Sequence, residues 1–157
     1  MILQTDRLTL VLQSVAEVRE QIEGLSDDMR AEVSPLWLER ALVATEADPW
    51  LHGFKAMLRE DGTIIGGAAF KGPPSEDGFV EIAYGIAPDH QGRGFATEAA
   101  RALIEFARQA AGVRVVRAHT RHENMASSRV LAKCGFRLVG DVIDPEDGLV
   151  QRWETDA

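Results

Sequence analysis

Cysteine is nearly absent from this chain, with one among 157 residues. A single cysteine cannot form an internal disulfide, so the chain is not a disulfide-stapled secreted domain, and it fits a reducing compartment. No apolar run approaches the roughly 20 residues that a membrane helix needs. The segment from Met1 to Leu12 mixes Asp6 and Arg7 with its apolar residues and lacks a signal-peptide layout. We therefore expect a cytoplasmic protein with no membrane partner.

Positive charge is also scarce, because 17 Lys and Arg face 25 Asp and Glu, for a net charge of −8. Nucleic-acid binding needs clustered Lys and Arg against phosphates, so this balance argues against it. An acidic protein that binds a polyphosphate has to do so locally, with backbone N–H groups and a few arginines. The net negative charge of the protein also mildly favours a cationic amine as a partner.

Repeats, linkers and low-complexity segments are missing as well. A chain of 157 residues is long enough to bury a substantial core. We therefore predict a single domain over residues 1–157, and its oligomeric state, monomer or homodimer, stays open.

The hydrophobic pattern predicts alternating strands and helices. Helices are expected after Ser14, from Ser34-Pro35 with Leu38 and Leu42 inward, from about Gly94 to Ala111, and after Asn124. Asp61-Gly62 indicates a two-residue hairpin turn. The predicted strands are 5–12, 54–59, 63–71, 79–86, 113–120, 136–142 and 149–154. The order β-α-α-β-β-β-α-β-α-β-β predicts an α/β fold whose mixed, mostly antiparallel sheet is flanked by helices.

The chain is organised around the stretch from Gly85 to Glu98. A strand ends at Pro88, and Gly92 and Gly94 then allow a tight turn before a helix begins. Helix starts offer unpaired N–H donors and the positive end of the helix dipole, which suit an anion. Arg93 adds a mobile cation, so we interpret the stretch as a pyrophosphate cradle.

Two other interpretations of this stretch stay open. The glycines can serve the geometry of an ordinary strand-to-helix turn alone. A dinucleotide site of the G-x-G-x-x-G type is less favoured, because Thr97 stands where the third glycine belongs and several strands precede the motif.

Three motifs resemble the GNAT superfamily of N-acetyltransferases. Residues 91–96, QGRGFA, resemble its Q/R-x-x-G-x-G/A signature. Residues 124–127, NMAS, followed by 133–136, KCGF, resemble its N-x-x-S and K-x-G-F segment. The opening residues 3–10, LQTDRLTL, resemble the start of the branch that includes ribosomal-protein N-terminal acetyltransferases. The similarity runs over nearly the full length and implies the GNAT fold.

The resemblance implies acetyl-CoA as a cosubstrate, without a metal. It places the pyrophosphate on the cradle and the pantetheine arm beside the strand that precedes it. The contacts that it implies are Tyr84, Gly85, Ile86, Gln91, Gly92, Arg93, Gly94, Phe95, Ala96, Thr97, Asn124 and Ser127.

The resemblance also implies catalytic residues. Glu81, on the strand before the cradle, takes the place of the family's general base, although a glutamate on a sheet is often simply ion-paired. Ser127 is the candidate for protonating the leaving thiolate, with an ordinary first-turn serine as the alternative. The family's usual tyrosine acid is absent, since Tyr84 is the only tyrosine and is expected to pack in the core.

Candidates for the acceptor side are Trp37, Trp50, His52 and Asp77, of which His52 and Asp77 are also alternative bases. His119, His122 and Glu123 lack the spacing and the further ligands of a zinc site, so we predict no metal. Cys134 is expected to be a core thiol.

These observations predict an acetyl-CoA-dependent N-acetyltransferase. Its acceptor would be a primary amine, on a protein N-terminus or a small molecule, that attacks the thioester directly. The alternative is a weakly catalytic acyl-CoA-binding sensor or interaction module on the same fold.

Overall fold

The structure is a computed structural model that describes residues 1–157. Its strands are β1 (Ile2–Gln4), β2 (Leu8–Leu12), β3 (Phe54–Leu58), β4 (Ile64–Phe70), β5 (Phe79–Ile86), β6 (Val115–Thr120), β7 (Arg137–Asp144) and β8 (Gly148–Asp156). Its helices are α1 (Val15–Glu23), α2 (Asp27–Ala31), α3 (Pro35–Val43), α4 (Phe95–Gln109) and α5 (Met125–Lys133), with a 3₁₀ turn at Pro88–His90.

The eight strands form one sheet in the order β1-β2-β3-β4-β5-β6-β8-β7. Every neighbouring pair is antiparallel except β5 and β6, which α4 connects and which are therefore parallel. The predicted α/β class with a mixed, mostly antiparallel sheet is confirmed.

The parallel pair separates halfway along its length. Strand β5 pairs with β6 only from Phe79 to Glu81, whereas it pairs with β4 as far as Ile86. The second half of β5 therefore has a partner on one side only. This opening in the sheet leaves a cleft beside residues 82–86, and the start of α4 lies at its end.

Helix α4 holds the sheet together from one face. Its buried residues include Ala99, Leu103 and Ala107, spaced four residues apart on one side of the helix. They join a core of 19 buried residues that includes Leu8 and Ile82. A separate cluster of Val18, Ile22 and Ala41 packs α1 against α3.

Four details of the predicted fold are wrong. The order omitted strand β1 at one edge of the sheet and the one-turn helix α2, both too short to show a periodic pattern. The hairpin at Asp61-Gly62 is not a two-residue turn, because Leu58 N–H bonds to Thr63 O and leaves four residues between them. Leu42 is exposed, since Ala41 takes the inward position on α3.

No helix in the structure combines the length and the apolar composition needed to cross a membrane.

Candidate active site

The loop before α4 presents a row of free backbone donors. Gly92 and Gly94 have φ of +78° and +85°, the left-handed region that favours glycine. The N–H groups from Gly92 to Thr97 donate to no acceptor within the protein. Six consecutive unpaired donors at a helix start fit an anionic group such as a pyrophosphate.

Side chains fix the two ends of this loop. At its beginning, Gln91 Nε2 donates to Ile86 O at 2.8 Å and ties the loop to the end of β5. At its far end, Glu98 in the first turn of α4 accepts from Thr5 Oγ1 at 2.6 Å and from Arg7 N at 2.8 Å. Burial alone would raise the pKa of Glu98, but the Thr5 and Arg7 hydrogen bonds and the Arg7 charge hold it below its usual range.

A cavity of about 480 Å³ lies between this loop, the end of β5 and α5; we call it the loop cavity. Arg129 and Lys133, one helical turn apart on α5, contribute cationic side chains to its wall. Eleven of the residues expected to contact the cosubstrate line it, namely Tyr84, Gly85, Ile86, Gln91, Gly92, Gly94, Phe95, Ala96, Thr97, Asn124 and Ser127. Arg93 is exposed and does not line it.

A second cavity, of about 590 Å³, lies over β4 and β5 and beneath the start of α3; we call it the sheet cavity. Its floor is made of small residues, because Gly67 pairs with Gly85 and Ala69 pairs with Ala83 across the two strands. Side chains at these positions point to one face of the sheet. Glycine and alanine there leave space that larger residues would fill.

The two cavities meet at Tyr84 and Gly85, which line both. Gly66 brings the strands close at this point, since a Cβ atom on it would lie 2.1 Å from Gly85 O. Ligands held in the two cavities would therefore approach each other at the open half of β5.

Two hydroxyl groups lie at this junction. The hydroxyl oxygens of Tyr84 and Ser127 are 3.0 Å apart, within hydrogen-bonding distance. Burial raises the pKa of Tyr84 above its usual range, so its hydroxyl keeps its proton. Asn124 caps α5 by accepting from Ser127 N at 3.1 Å, which fixes the backbone of that serine. The Tyr84 ring packs against the core as expected, and its hydroxyl adds a polar group to the site.

Glu81 lies three residues before Tyr84 on β5, on the strand face that carries Ala83 and Gly85. Its Oε2 is 3.1 Å from Lys71 Nζ and 3.1 Å from His119 Nδ1. The Oε2–His119 contact does not have hydrogen-bond geometry. Burial opposes the charge on Lys71, but Glu81 and Asp147 raise its pKa above the usual range. The carboxylate therefore faces a cation.

Glu81 and the residues at the junction nevertheless line one small cavity. This cavity of about 200 Å³ is lined by Glu81 and His119 together with Tyr84, Asn124 and Ser127. This space is large enough for water. The role of Glu81 as a base stays a prediction.

The structure separates the four acceptor-side candidates. Trp37 and His52 line the sheet cavity. Trp50 does not, because its ring packs edge-on against Phe70 at 4.6 Å and close to Phe106. Asp77 is exposed in a separate depression on the far side of Lys71, so it lies outside the sheet cavity.

Sequence reasoning missed three cationic residues around the loop. Arg129 and Lys133 recur at helical spacing after Asn124, a pattern that could have revealed a basic face toward the cavity. Arg7 was noted only for its resemblance to a family motif, and its partner Glu98 is 91 positions away. No local signal in the sequence joins the two.

The remaining candidates do not form a site of their own. His119 faces Glu81, whereas His122 pairs with Asp141 at 3.1 Å, so the two imidazoles serve different contacts. No group of three or more His, Cys, Asp and Glu side chains is arranged to hold a metal ion. Burial raises the pKa of the Cys134 thiol, which packs against the core and is therefore a poor nucleophile.

The fold and this site together define a class of α/β protein with a mixed sheet that opens beside a glycine-rich helix start. The chain belongs to the GNAT acetyltransferase family, because the model of the acetyltransferase (GNAT) domain matches residues 4–137.

Known relatives by sequence support this membership. Over 91 residues the chain is 33% identical to the uncharacterized N-acetyltransferase YjdG of Bacillus subtilis (strain 168), a match that covers 58% of this chain and 52% of YjdG. The uncharacterized N-acetyltransferase p20 of Bacillus licheniformis is 30% identical over 93 residues, covering 59% of this chain and 52% of p20. The chain spans about half the length of the curated relatives it matches.

Solved structures show the same fold. A GNAT-family acetyltransferase from Bacillus anthracis superposes with a TM-score of 0.70 at 16% identity, covering 99% of this chain and 98% of that one. A ribosomal L7/L12 α-N-protein acetyltransferase in complex with coenzyme A superposes with a TM-score of 0.70 at 15% identity, covering 99% of this chain and 98% of that one. An aminoglycoside acetyltransferase in complex with coenzyme A superposes with a TM-score of 0.69 at 22% identity, covering 95% of this chain and 94% of that one.

Proposed function

We propose that this chain is an acetyl-CoA-dependent N-acetyltransferase that moves the acetyl group to a primary amine by direct attack on the thioester. The observation that carries the proposal is the junction of two cavities at Tyr84 and Gly85. One cavity has a row of free backbone donors for a pyrophosphate, and the other has room for an acceptor. A module that only binds a coenzyme would have no need for the second cavity.

In this proposal the loop cavity receives acetyl-CoA. The N–H groups from Gly92 to Thr97 hold the pyrophosphate, and Arg129 and Lys133 add positive charge on the opposite wall. The unpaired edge of β5 beyond Glu81 offers its backbone to the pantetheine arm. The thioester then lies near Tyr84, where the sheet cavity opens.

The chemistry needs orientation and proton transfer more than strong activation, because the thioester is already reactive. The amine nitrogen attacks the carbonyl carbon, the C–S bond breaks, and the products are the N-acetyl amine and coenzyme A with a free thiol. Lysine amines have a pKa of about 10.4 and α-amines about 7.7–8.0, so most arrive protonated and must lose a proton.

Glu81 would take that proton through water. Glu81 lines the small cavity that Tyr84 and Ser127 also line. One or two water molecules in this cavity would connect its carboxylate to the attacking amine. Lys71 and His119 hold the carboxylate in place. Together these contacts support a relay rather than direct contact between Glu81 and the substrate.

The hydroxyl pair of Tyr84 and Ser127 would supply the proton that the leaving thiolate requires. Their 3.0 Å separation lets one hydroxyl replace the proton that the other gives up. A phenol is protonated at neutral pH, so the Tyr84 hydroxyl has a proton to pass to Ser127 as the serine protonates the thiolate. Ser127 is the proposed proton donor, and Tyr84 joins it as its partner.

The test mixes the purified chain and acetyl-CoA with a panel of N-terminal peptides, polyamines, amino acids and aminoglycosides. Free thiol should accumulate with at least one amine, and mass spectrometry should show the matching N-acetyl product. Calorimetry with acetyl-CoA alone serves as the control. Tight binding of acetyl-CoA without turnover of any amine would contradict the proposal and favour the coenzyme-binding sensor.

A further inference from the structure

Arg152 on β8 is linked to Glu81 on β5 through His119 on β6. Arg152 and His119 are partners in the antiparallel pairing of β6 with β8, so the sheet itself places their side chains next to each other. Arg152 Nε–H donates to His119 Nε2 at 3.1 Å. On the other side of the ring, His119 Nδ1 lies 3.1 Å from Glu81 Oε2. Three side chains in contact therefore connect β8 with the proposed base.

These contacts fix the tautomer of His119. Arg152 Nε always carries its proton, so His119 Nε2 has to present a lone pair, and in a neutral imidazole the proton is then on Nδ1. The Nδ1–Oε2 contact is not aligned as a hydrogen bond, but at 3.1 Å an N–H group there is attracted by the carboxylate. The opposite tautomer would set an N–H group against the guanidinium and a lone pair against Glu81. Only the Nδ1–H form suits both neighbours.

The guanidinium of Arg152 has no other partner in the protein. It makes no ion pair with any carboxylate, although acidic residues outnumber basic ones in this chain. Instead it is directed at a ring whose side chain is only 5% exposed. The contact satisfies His119 Nε2, which would otherwise be a buried acceptor without a donor. Arg152 therefore serves the ring, and through it the carboxylate.

His119 lies where β5 and β6 separate. Glu81 is the last residue of β5 that pairs with β6, opposite Arg117, and His119 follows Arg117 by two residues on the same strand face. The sheet gives way to the cleft at this point. The carboxylate at its edge is held by two side chains, those of Lys71 and His119.

The two oxygens of the Glu81 carboxylate differ. Both contacts are made by Oε2, which is buried. Oε1 accepts no hydrogen bond within the protein and keeps accessible surface. One oxygen is thus held in place, and the other is free to take a proton.

We propose that Arg152 is a positioning residue of the active site, which acts through His119 on the Glu81 carboxylate. By holding the ring in its Nδ1–H form, Arg152 keeps Oε2 inward and leaves Oε1 for the proton of the amine. The proposal rests on the N-acetyltransferase function proposed above, with Glu81 as its base. Arg152 lines none of the cavities described above, so it acts on the reaction only through its neighbours.

The hydrogen bond is tested by nuclear magnetic resonance on the wild-type chain labelled with nitrogen-15. The spectra are recorded at about pH 8, where an unperturbed imidazole is neutral. We expect His119 to carry its proton on Nδ1, and a scalar coupling across the hydrogen bond to join Arg152 Nε with His119 Nε2. The chain has four histidines, and His119→Gln assigns the ring by the resonances that disappear. A proton on Nε2 of His119 overturns the proposal.

The effect on the reaction is tested by a double-mutant cycle with Glu81→Gln. Arg152→Met keeps most of the side-chain length and removes the donor. We expect it to lower kcat about tenfold with the best amine of the panel, the value of one hydrogen bond, and to leave acetyl-CoA affinity unchanged. In the Glu81→Gln background Arg152→Met should have no further effect, because the carboxylate that it positions is already gone. Equal losses in both backgrounds would show that Arg152 does not act through Glu81.

Arg137→Met is the matched control. Arg137 is an exposed arginine on the neighbouring strand β7, 3.9 Å from Asp156, and it lines none of the cavities described above. The variant removes the same charge from the same part of the sheet, so kcat should stay within about twofold of wild type. A tenfold loss here as well would assign the effect of Arg152→Met to the lost charge and overturn the role of His119.

The proposed function and the role of Arg152 fail in different ways. If no amine is acetylated, the function fails, and the wild-type spectrum decides about Arg152: a coupled Nδ1–H ring supports the contact, and an Nε2–H ring overturns it. If an amine is acetylated and Arg152→Met leaves kcat unchanged, only the positioning role fails. Should Arg152→Met not fold, Arg152→Lys replaces it in the cycle with the same expected loss, because lysine keeps the charge but has a methylene group in place of Nε.

Discussion

Arg7 and Glu98, 91 positions apart in the chain, form an ion pair in which Nη2 and Nε of the arginine lie 2.6 Å and 2.7 Å from the same carboxylate oxygen. Arg7 lies just before β2, and Glu98 lies in the first turn of α4. The guanidinium also stacks over the Phe95 ring, 4.3 Å from its centre. The beginning of the chain therefore holds the start of the helix that carries the anion-binding loop.

This pair should contribute stability that depends on pH. Because its pKa is lowered in the folded protein, Glu98 stabilises the fold above its unfolded pKa of about 4.3, and the effect is lost as pH falls through the folded value. Glu98→Gln should cost about 1 kcal/mol at pH 7, a modest figure because Arg7 is half exposed. Urea unfolding at pH 7 measures the loss of stability in Glu98→Gln, and urea unfolding near pH 3 measures how far that loss shrinks in acid.

A matched control lies on the same helix. Glu105 is exposed, and its ion pair with Arg108 is long, at 4.0 Å. Glu105→Gln should therefore change the free energy of unfolding by less than about 0.5 kcal/mol. A Glu98→Gln deficit that persists unchanged at acid pH would show that the carboxylate charge is not its source.

The cradle is tested at Gly92, where an added Cβ would meet no atom within 4 Å. Gly92→Asn and Gly92→Asp impose the same backbone strain, and only the second adds a negative charge beside the free donors. Calorimetry should show acetyl-CoA affinity at least tenfold weaker for Gly92→Asp than for Gly92→Asn. Equal affinities would place the pyrophosphate elsewhere.

Arg93 should act at long range. It is exposed and makes no ion pair in the structure, so its charge attracts phosphate without fixing its position. Arg93→Ala should weaken acetyl-CoA binding modestly, and the deficit should shrink as salt is raised from about 0.05 to 0.5 M. A deficit that is independent of salt would instead assign the side chain a structural role.

Glu81→Gln tests the proposed base. Loss of a general base commonly lowers the rate by about 10²–10⁴, and the deficit should narrow at high pH, where more amine is already neutral. A pH–rate profile with the best acceptor measures this, while acetyl-CoA affinity should stay unchanged.

The control for Glu81 is Glu17→Gln, which breaks the 2.9 Å ion pair of Glu17 with Lys55, two residues that line none of the three cavities described above. It should leave the pH profile unaltered. Profiles of the same height and shape for wild type and Glu81→Gln would make Glu81 a structural residue.

Gly66 should not tolerate any side chain. Its Cβ would overlap Gly85 O at 2.1 Å, so Gly66→Ala must push β5 away from β4 at the junction of the two cavities. Overpacking of this kind costs about 1–3 kcal/mol. Gly72→Ala, where a Cβ meets no atom within 4 Å, is the control and should be near neutral in urea unfolding. Equal stability of the two variants would contradict the close approach of the strands.

The sequence predicted what local patterns can encode. Alternation predicted the bounds of β5, Phe79–Ile86, and the G-x-G turn with a following amphipathic stretch predicted the start of α4. These features depend on residues that are neighbours in the chain. The assignment to the family also followed from local motifs, and the match over residues 4–137 confirms it.

Contacts between distant segments were beyond the reach of these patterns. The Arg7–Glu98 pair, the closeness of Gly66 to Gly85, and the contact of Arg152 with His119 all depend on how separate elements pack. The identity of a buried tautomer in particular requires the position of its partner, Arg152 Nε–H, which no periodicity reveals.

The small core of Val18, Ile22 and Ala41 shares no buried residue with the main core beneath α4. The helical wall that carries Trp37 therefore has a buried cluster of its own, and it is joined to β3 and the loop before it by the Glu17–Lys55 ion pair and the Trp37–Leu51 hydrogen bond. In the proposed function, substitutions on this wall would alter the range of amines and leave the loop that binds the acyl donor unchanged. Under this proposal a new acceptor would require changes around the sheet cavity, while the loop cavity keeps its residues.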